Sequence, residues 1–168
     1  MREIRIIAGI AIALILFVAA ALVWSMVSAT TGALDAQAVR RIERQCGFQA
    51  ACKVRLGDLF SGDWDTFYEF GVSVDQATID QVLGTDRVKR APNQRTLVLV
   101  KQGHIVASER EAYGAQGPLE GQIEFENEHH REQSWVSFGR ESVLRVSTFR
   151  ADPAKDKGSY YVLSAEER

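Results

Sequence analysis

The chain has 168 residues, a formal net charge of -2, three histidines and two cysteines, with 46% of its residues hydrophobic and 25% charged. That length fits a membrane segment followed by one domain with a single core. The slightly acidic balance gives no basic surface that asks for nucleic acid, and no polybasic cluster marks an anionic-lipid site.

The first element is the run IIAGIAIALILFVAAALVWSMV, from Ile6 to Val27, which carries no charge and no proline. As a helix it reaches across the roughly 30 Å hydrocarbon core of a bilayer and satisfies its own backbone there. Arg2 and Arg5 precede it, while the first basic residues beyond it are Arg40 and Arg41. The positive-inside rule therefore predicts residues 1–5 in the cytoplasm, a transmembrane helix over 6–28, a linker over 29–34, an exported domain over 35–164 and a tail over 165–168. For a bacterium this is a single-pass inner-membrane protein with a periplasmic domain, although a eukaryotic luminal protein would read similarly. A cleaved signal peptide competes, because Val27-Ser28-Ala29 offers small residues for cleavage. The length of the run and Trp24 near its outer end favour an uncleaved signal-anchor.

Asp35 is placed to cap a helix over about 36–46, with Leu34 and Val39 as a hydrophobic staple and Val39, Ile42 and Cys46 on one face. Gly47 ends it. Cys46 and Cys52 suit a disulfide in an oxidising compartment, and the absence of CxxC spacing argues against a redox or metal role. CKVRL at 52–56 alternates as a short strand, and turn residues surround Leu59-Phe60.

Trp64 to Val72, WDTFYEFGV, reads as a strand with Trp64, Thr66, Tyr68 and Phe70 on one face and Asp65, Phe67 and Glu69 on the other. Ser73 and Gln76 form a capping-box pair for a helix of about ten residues that stops at Gly84. The polar segment Thr85 to Arg95 reads as a loop. TLVLVK and HIVASER flank the two-residue turn Gln102-Gly103 as a hairpin. Ala112 to Glu120 reads as a loop, and QIEFE, WVSF, VLRVSTF and YYVLS as further strands. The expected fold class is α+β: two short helices and an antiparallel sheet of five to seven strands behind the membrane helix.

Several clusters bear on chemistry. Glu124, Glu126, Glu128, His129 and His130 invite a metal, but adjacent histidines on an extended segment point apart and the spacing matches no metal signature, so a solvated strand edge is the plainer reading. Asp58, Asp63, Asp65 and Glu69 could supply a glycosidase-like carboxylate pair. No GxSxG, HExxH or glycine-rich phosphate loop occurs, and no cofactor is indicated. Trp64, Tyr68 and Phe70 read first as core aromatics. Their functional alternative is an aromatic and acidic partner surface made of Trp64, Asp65, Tyr68 and Glu69, with the loops 85–95 and 112–120 as other recognition sites.

Trp64-Asp65-Thr66-Phe67-Tyr68-Glu69-Phe70, then a Ser73-capped helix ending at Leu83-Gly84, resembles a pattern of small bacterial cell-envelope proteins, many of them lipoproteins of unknown role. These carry W-D-x-x-Y-x-F, a short linker, a helix ending near a glycine, and a hydrophobic strand and hairpin. The central tyrosine of that pattern falls at Phe67 or Tyr68, depending on alignment. The likeness covers roughly Leu59 to Arg110 and implies an exported bacterial α+β domain, with no activity or catalytic residue attached. No lipobox cysteine is present, so the apolar span would replace a lipid anchor. The function expected is a membrane-anchored binding or interaction protein with an envelope protein partner, such as an accessory subunit or an inhibitor or immunity protein. The alternative is a hydrolase or metal-dependent enzyme using Asp63 to Glu69 or Glu124 to His130.

Overall fold

In the strands Thr66–Phe70 and Gln94–Lys101 apolar side chains occupy both faces, and this sets the architecture. The computed structural model describes residues 33–47, 52–114, 118–126, 134–149 and 160–165. The membrane helix expected over 6–28, residues 1–5 before it, positions 29–32 of the expected linker and positions 166–168 of the expected tail lie outside the described residues. Among those described, no helix is long and apolar enough to cross a membrane. All of them belong to the unit Thr31–Arg168.

The order is α1 (Ala33–Cys46), β1 (Cys52–Arg55), α2 (Leu56–Leu59), β2 (Thr66–Phe70), α3 (Gln76–Leu83), β3 (Gln94–Lys101), β4 (His104–Ala112), β5 (Ile123–Glu126), β6 (Trp135–Gly139), β7 (Val143–Phe149) and β8 (Tyr160–Ala165). The fold is α+β, as the sequence indicates. The single antiparallel sheet of five to seven strands is corrected to two four-stranded sheets, ordered β1-β7-β8-β5 and β4-β3-β2-β6. The second is antiparallel throughout, whereas the first includes a parallel pair, β5 with β8.

The physical reason is the two-sided burial of the second sheet. Phe67, Leu97, Leu99 and Phe138 turn toward the first sheet, where Ile123, Phe125, Leu144, Val146 and Leu163 complete the main core. Aromatic rings bridge the gap: Phe67 lies 5.2 Å from Phe60 and 4.6 Å from Phe125, and Phe125 lies 6.2 Å from Phe138. On the other face Phe70, Val74, Ile79, Val88 and Val98 form a smaller core beneath α3. Each face excludes water from apolar surface, which is the main favourable term in holding the layers together.

Helix α1 begins at Ala33, so Asp35 stands within its first turn instead of capping it. The cap comes from far along the chain. Glu109 on β4 accepts the Ala33 and Leu34 amides at 2.6 and 2.7 Å, bringing negative charge to two orphan donors at the positive end of the helix. Ala38, Ile42 and Cys46 make the buried stripe, and Gly47 ends the helix at φ 54°, donating its amide to the Glu43 carbonyl at 3.0 Å. The sulfurs of Cys46 and Cys52 stand 1.99 Å apart, at disulfide distance, and join α1 to β1.

Other boundaries move. The segment read as turns around Leu59 is the short helix α2, which buries Leu56 and Leu59. Asp75, not Ser73, caps α3 by accepting the Thr78 amide at 2.7 Å. Gln76 instead donates to Asp80 at 2.6 Å and to the Val88 carbonyl at 2.8 Å, and it accepts the Arg90 amide at 2.9 Å. Those bonds pin the 85–93 segment against α3. The hairpin turn Gln102-Gly103 is present, with both residues at positive φ (47° and 78°), the backbone that a two-residue turn of matching twist requires.

Candidate functional site

Strand alternation in the second sheet places Arg95 on the same face as Leu97 and Leu99, directly opposite Glu111 on β4. Glu69 on β2 pairs with Leu97, two residues along β3 from Arg95. Asp35 reaches the same point from the first turn of α1. The guanidinium is 0% exposed and is held on every side. Its Nε and Nη2 donate to Glu111 Oε2 at 3.1 and 2.8 Å, its Nη1 donates to Glu69 Oε1 at 3.0 Å and to the Ile123 carbonyl, and its Nη2 also donates to Asp35 Oδ2. The Ile123 amide donates back to Asp35 Oδ2 at 3.3 Å, and the Tyr113 ring lies 5.4 Å from the guanidinium carbon. One buried arginine thereby ties α1, β2, β3 and β4 to β5 in the other sheet.

One cation faces three carboxylates. Burial pushes Asp35 well above the usual carboxylate range; Arg95 opposes this, and Glu111, through its charge and a hydrogen bond, adds to it. Burial also raises Glu69 against the pull of Arg95, with Glu111 and Glu124 adding. Arg95 itself is raised: burial works against its charge, but Glu69, Asp35 and Glu111 outweigh that. Asp35 Oδ1, Glu111 Oε1 and Glu69 Oε2 are buried without a hydrogen-bond partner. A proton on Asp35, which burial and the Glu111 carboxyl beside it favour, would satisfy the first two. Glu69 Oε2 is left over.

That oxygen belongs to a side chain lining a cleft of about 170 Å³, bounded also by Gly71, Tyr113, Glu124, Ser134 and Val136. Glu69 is only 8% exposed, so it forms the floor. Burial, then Glu124 and Glu69, raise the Tyr113 phenol, which therefore stays a neutral hydroxyl. The lip is tight: the Gly71 amide donates to the Ser134 carbonyl at 2.8 Å, and a Cβ on Gly71 would meet that oxygen at 2.9 Å.

Of the four residues expected to form a partner surface, only Glu69 lines this cleft. Trp64 precedes β2 and is buried in the main core instead of beside Tyr68 and Phe70; its indole N–H donates to the Phe60 carbonyl at 3.3 Å. Asp65 stabilises the hairpin tip, accepting the Gln102 amide at 2.7 Å and facing Lys101 at 3.6 Å. Tyr68 stacks on Phe70 at 6.0 Å on the opposite face of the sheet. Of the carboxylates weighed as a catalytic pair, Asp63 and Asp65 share Lys101 at 3.0 and 3.6 Å, while Asp58 pairs with Arg55 at 2.8 Å and Glu69 with Arg95. Glu124 and Glu126 lie on β5, while Glu128, His129 and His130 lie outside the described residues. Among the described residues no group of three or more His, Cys, Asp or Glu side chains is placed to hold a metal ion.

Glu111 is not among the expected site residues, and Arg95 is expected only as the end of the recognition loop 85–95. The loop boundaries read at 85–95 and 112–120 hid them: Gln94 and Arg95 belong to β3 and Ala112 to β4. Extending the alternation of Leu97 and Leu99 back two residues is the signal that finds Arg95. Comparison of the chain with protein-family models, with curated proteins and with solved structures finds no match.

Proposed function

We propose that the protein is a membrane-tethered binding domain of the bacterial envelope, exported to the periplasm, whose cleft at Glu69 receives a group of a protein partner. The observation that carries this reading is Glu69, whose side chain lines the cleft and whose Oε2 is buried without a hydrogen-bond partner. A buried carboxylate oxygen without a partner costs stability, and a ligand that donates to it recovers that cost on binding. The apolar run Ile6 to Val27 with Arg2 and Arg5 before it supports the tether and its orientation. The Cys46 and Cys52 pair at disulfide distance supports an oxidising compartment.

The same residue also supports a second reading. Burial raises the Glu69 carboxyl, as it does for a general acid in glycoside hydrolysis, and Glu124 lines the same cleft. The first reading is tested with a photo-crosslinking residue at the exposed position 134 of the full chain in intact cells. One stoichiometric partner is expected, and its yield falls in the Glu69→Gln variant. No adduct from a folded chain overturns the binding reading, and loss of a glycan-cleaving activity in that variant establishes the hydrolytic one.

A further inference from the structure

We infer that a second cleft, on the face of the second sheet that α3 covers, binds a phosphoryl group. This goes beyond the reading of the Glu69 cleft and does not depend on it. The second cleft has a volume of about 400 Å³ and lies between Arg87, Val88 and Lys89 of the segment after α3, Thr96 of β3, and Ser108 and Arg110 of β4. That volume falls in the roughly 300 to 1,000 Å³ range of small-ligand pockets.

Strand alternation sorts its charges. Thr96 stands opposite Arg110 and Val98 opposite Ser108, and Val98 belongs to the smaller core, so these four side chains share the α3 face. Among the described residues bounding the cleft Glu109 is the one acid, and it pairs with Leu97, whose side chain is in the main core. Its carboxylate is on that far face, accepting the Ala33 and Leu34 amides. Asp86 holds Lys89 only loosely, 3.8 Å away, with both side chains mostly exposed and screened by water. Arg87, Lys89 and Arg110 therefore set the sign of the cleft.

The backbone that carries these cations is fixed before a ligand arrives. Val88 is buried in the smaller core, and Gln76 donates to its carbonyl at 2.8 Å and accepts the Arg90 amide at 2.9 Å. Arg110 is fixed by its pairing with β3. Such preorganisation lowers the ordering cost of binding. The guanidiniums of Arg87 and Arg110 offer forked donors, the Lys89 ammonium adds charge, and the Thr96 and Ser108 hydroxyls add neutral donors. A phosphate monoester answers all of these, with about −1.5 to −2 charges and three acceptor oxygens at pH 7. A single carboxylate brings less charge and fewer oxygens, and a cation would meet three like charges. A soluble ester and a lipid headgroup both present the phosphoryl group.

The full chain in neutral detergent micelles, at fixed ionic strength, is titrated with glycerol 3-phosphate and with succinate as a dianion lacking phosphorus. A separate arm dopes the micelles with phosphatidic acid, and the amide resonances of Val88, Ser108 and Arg110 are followed in each. Saturable shifts with a phosphate ester are expected, with about tenfold weaker binding of succinate, the effect of one charge-assisted hydrogen bond. Arg87→Gln and Arg110→Gln, both at exposed positions, should each weaken binding about fivefold. Arg145→Gln, exposed on β7 of the first sheet, should leave it unchanged. Tighter binding of glycerol 3-phosphate assigns a soluble ligand and tighter binding of phosphatidic acid a lipid headgroup, with the same two variants weakened in either case. No saturable shift with either ester, an equal response to succinate, unchanged binding in either cleft variant, or an equal loss in Arg145→Gln overturns the inference.

Discussion

Asp35 and Arg95 are paired with both side chains at 0% exposure, across sixty residues of sequence. The pair fastens the first turn of α1 to the middle of the second sheet. Removing the cation strands three carboxylates in a place without water, so Arg95→Leu should destabilise the domain by about 3–5 kcal/mol. Asp35→Asn should cost less than about 1 kcal/mol, because an amide reproduces both roles of a protonated Asp35: its oxygen accepts from Arg95 and Ile123, and its nitrogen donates to Glu111. Urea unfolding midpoints of the two variants check the contrast, and equal losses would contradict a shared proton.

The pH dependence follows from the same cluster. Asp35 and Glu69 hold their protons more tightly folded than unfolded, where they titrate near pH 4. Between that value and their raised folded values the native chain binds more protons, so stability falls as pH rises. Acidification from about pH 7 to about pH 5 should therefore raise the thermal midpoint, and Glu69→Gln should flatten the slope. Asp58, held down by Arg55, and Asp75, held down by Thr78, act in the opposite sense only near and below about pH 4. A midpoint that rises with pH across this window would contradict the assignment.

Linking Cys46 to Cys52 closes a short ring, with a sequence separation of six. In the chain-entropy account this is worth roughly 2 kcal/mol, so the Cys46→Ala, Cys52→Ala double variant should unfold at lower denaturant with little change in slope. Reduction of the unmodified chain should produce the same shift, and the double variant should not respond to reductant.

Gly71 tests the cleft lip. Its Cβ position lies 2.9 Å from the Ser134 carbonyl oxygen, a backbone atom that cannot swing aside. Gly71→Ala should push β2 and β6 apart at this end, cost about 1–3 kcal/mol and speed amide exchange at residue 71. Hydrogen exchange read against that of Phe67, deep in the same strand, separates local opening from global loss.

Much of the strand pattern is visible in the sequence because it depends on neighbours. Thr96 to Lys101, the Gln102-Gly103 turn and the strand after it need only alternation and one positive-φ pair. The site is harder to see because its partners meet by register. The turn sets Lys101 opposite His104, and counting back without interruption would place Arg95 opposite Arg110, a repulsive pair. The irregularity between Leu99 and Val100 shifts the pairing by one and brings Glu111 into that place. Asp35 reads locally as a cap, since nothing nearby announces that Glu109 takes that role. The parallel pairing of β5 with β8 likewise leaves no local mark, and so one sheet was expected where two exist.

Glu109 and the cysteine pair hold α1 at its two ends, and they hold it to different sheets: its first amides to β4 in the second, its last residue to β1 in the first. Tension applied to the chain ahead of Ala33 therefore meets the second sheet first, through Glu109 and the Asp35–Arg95 pair. With the Asp35–Arg95 pair and the buried Ala38 and Ile42 between those ends, the helix is a strap across both layers, and detaching it opens the core.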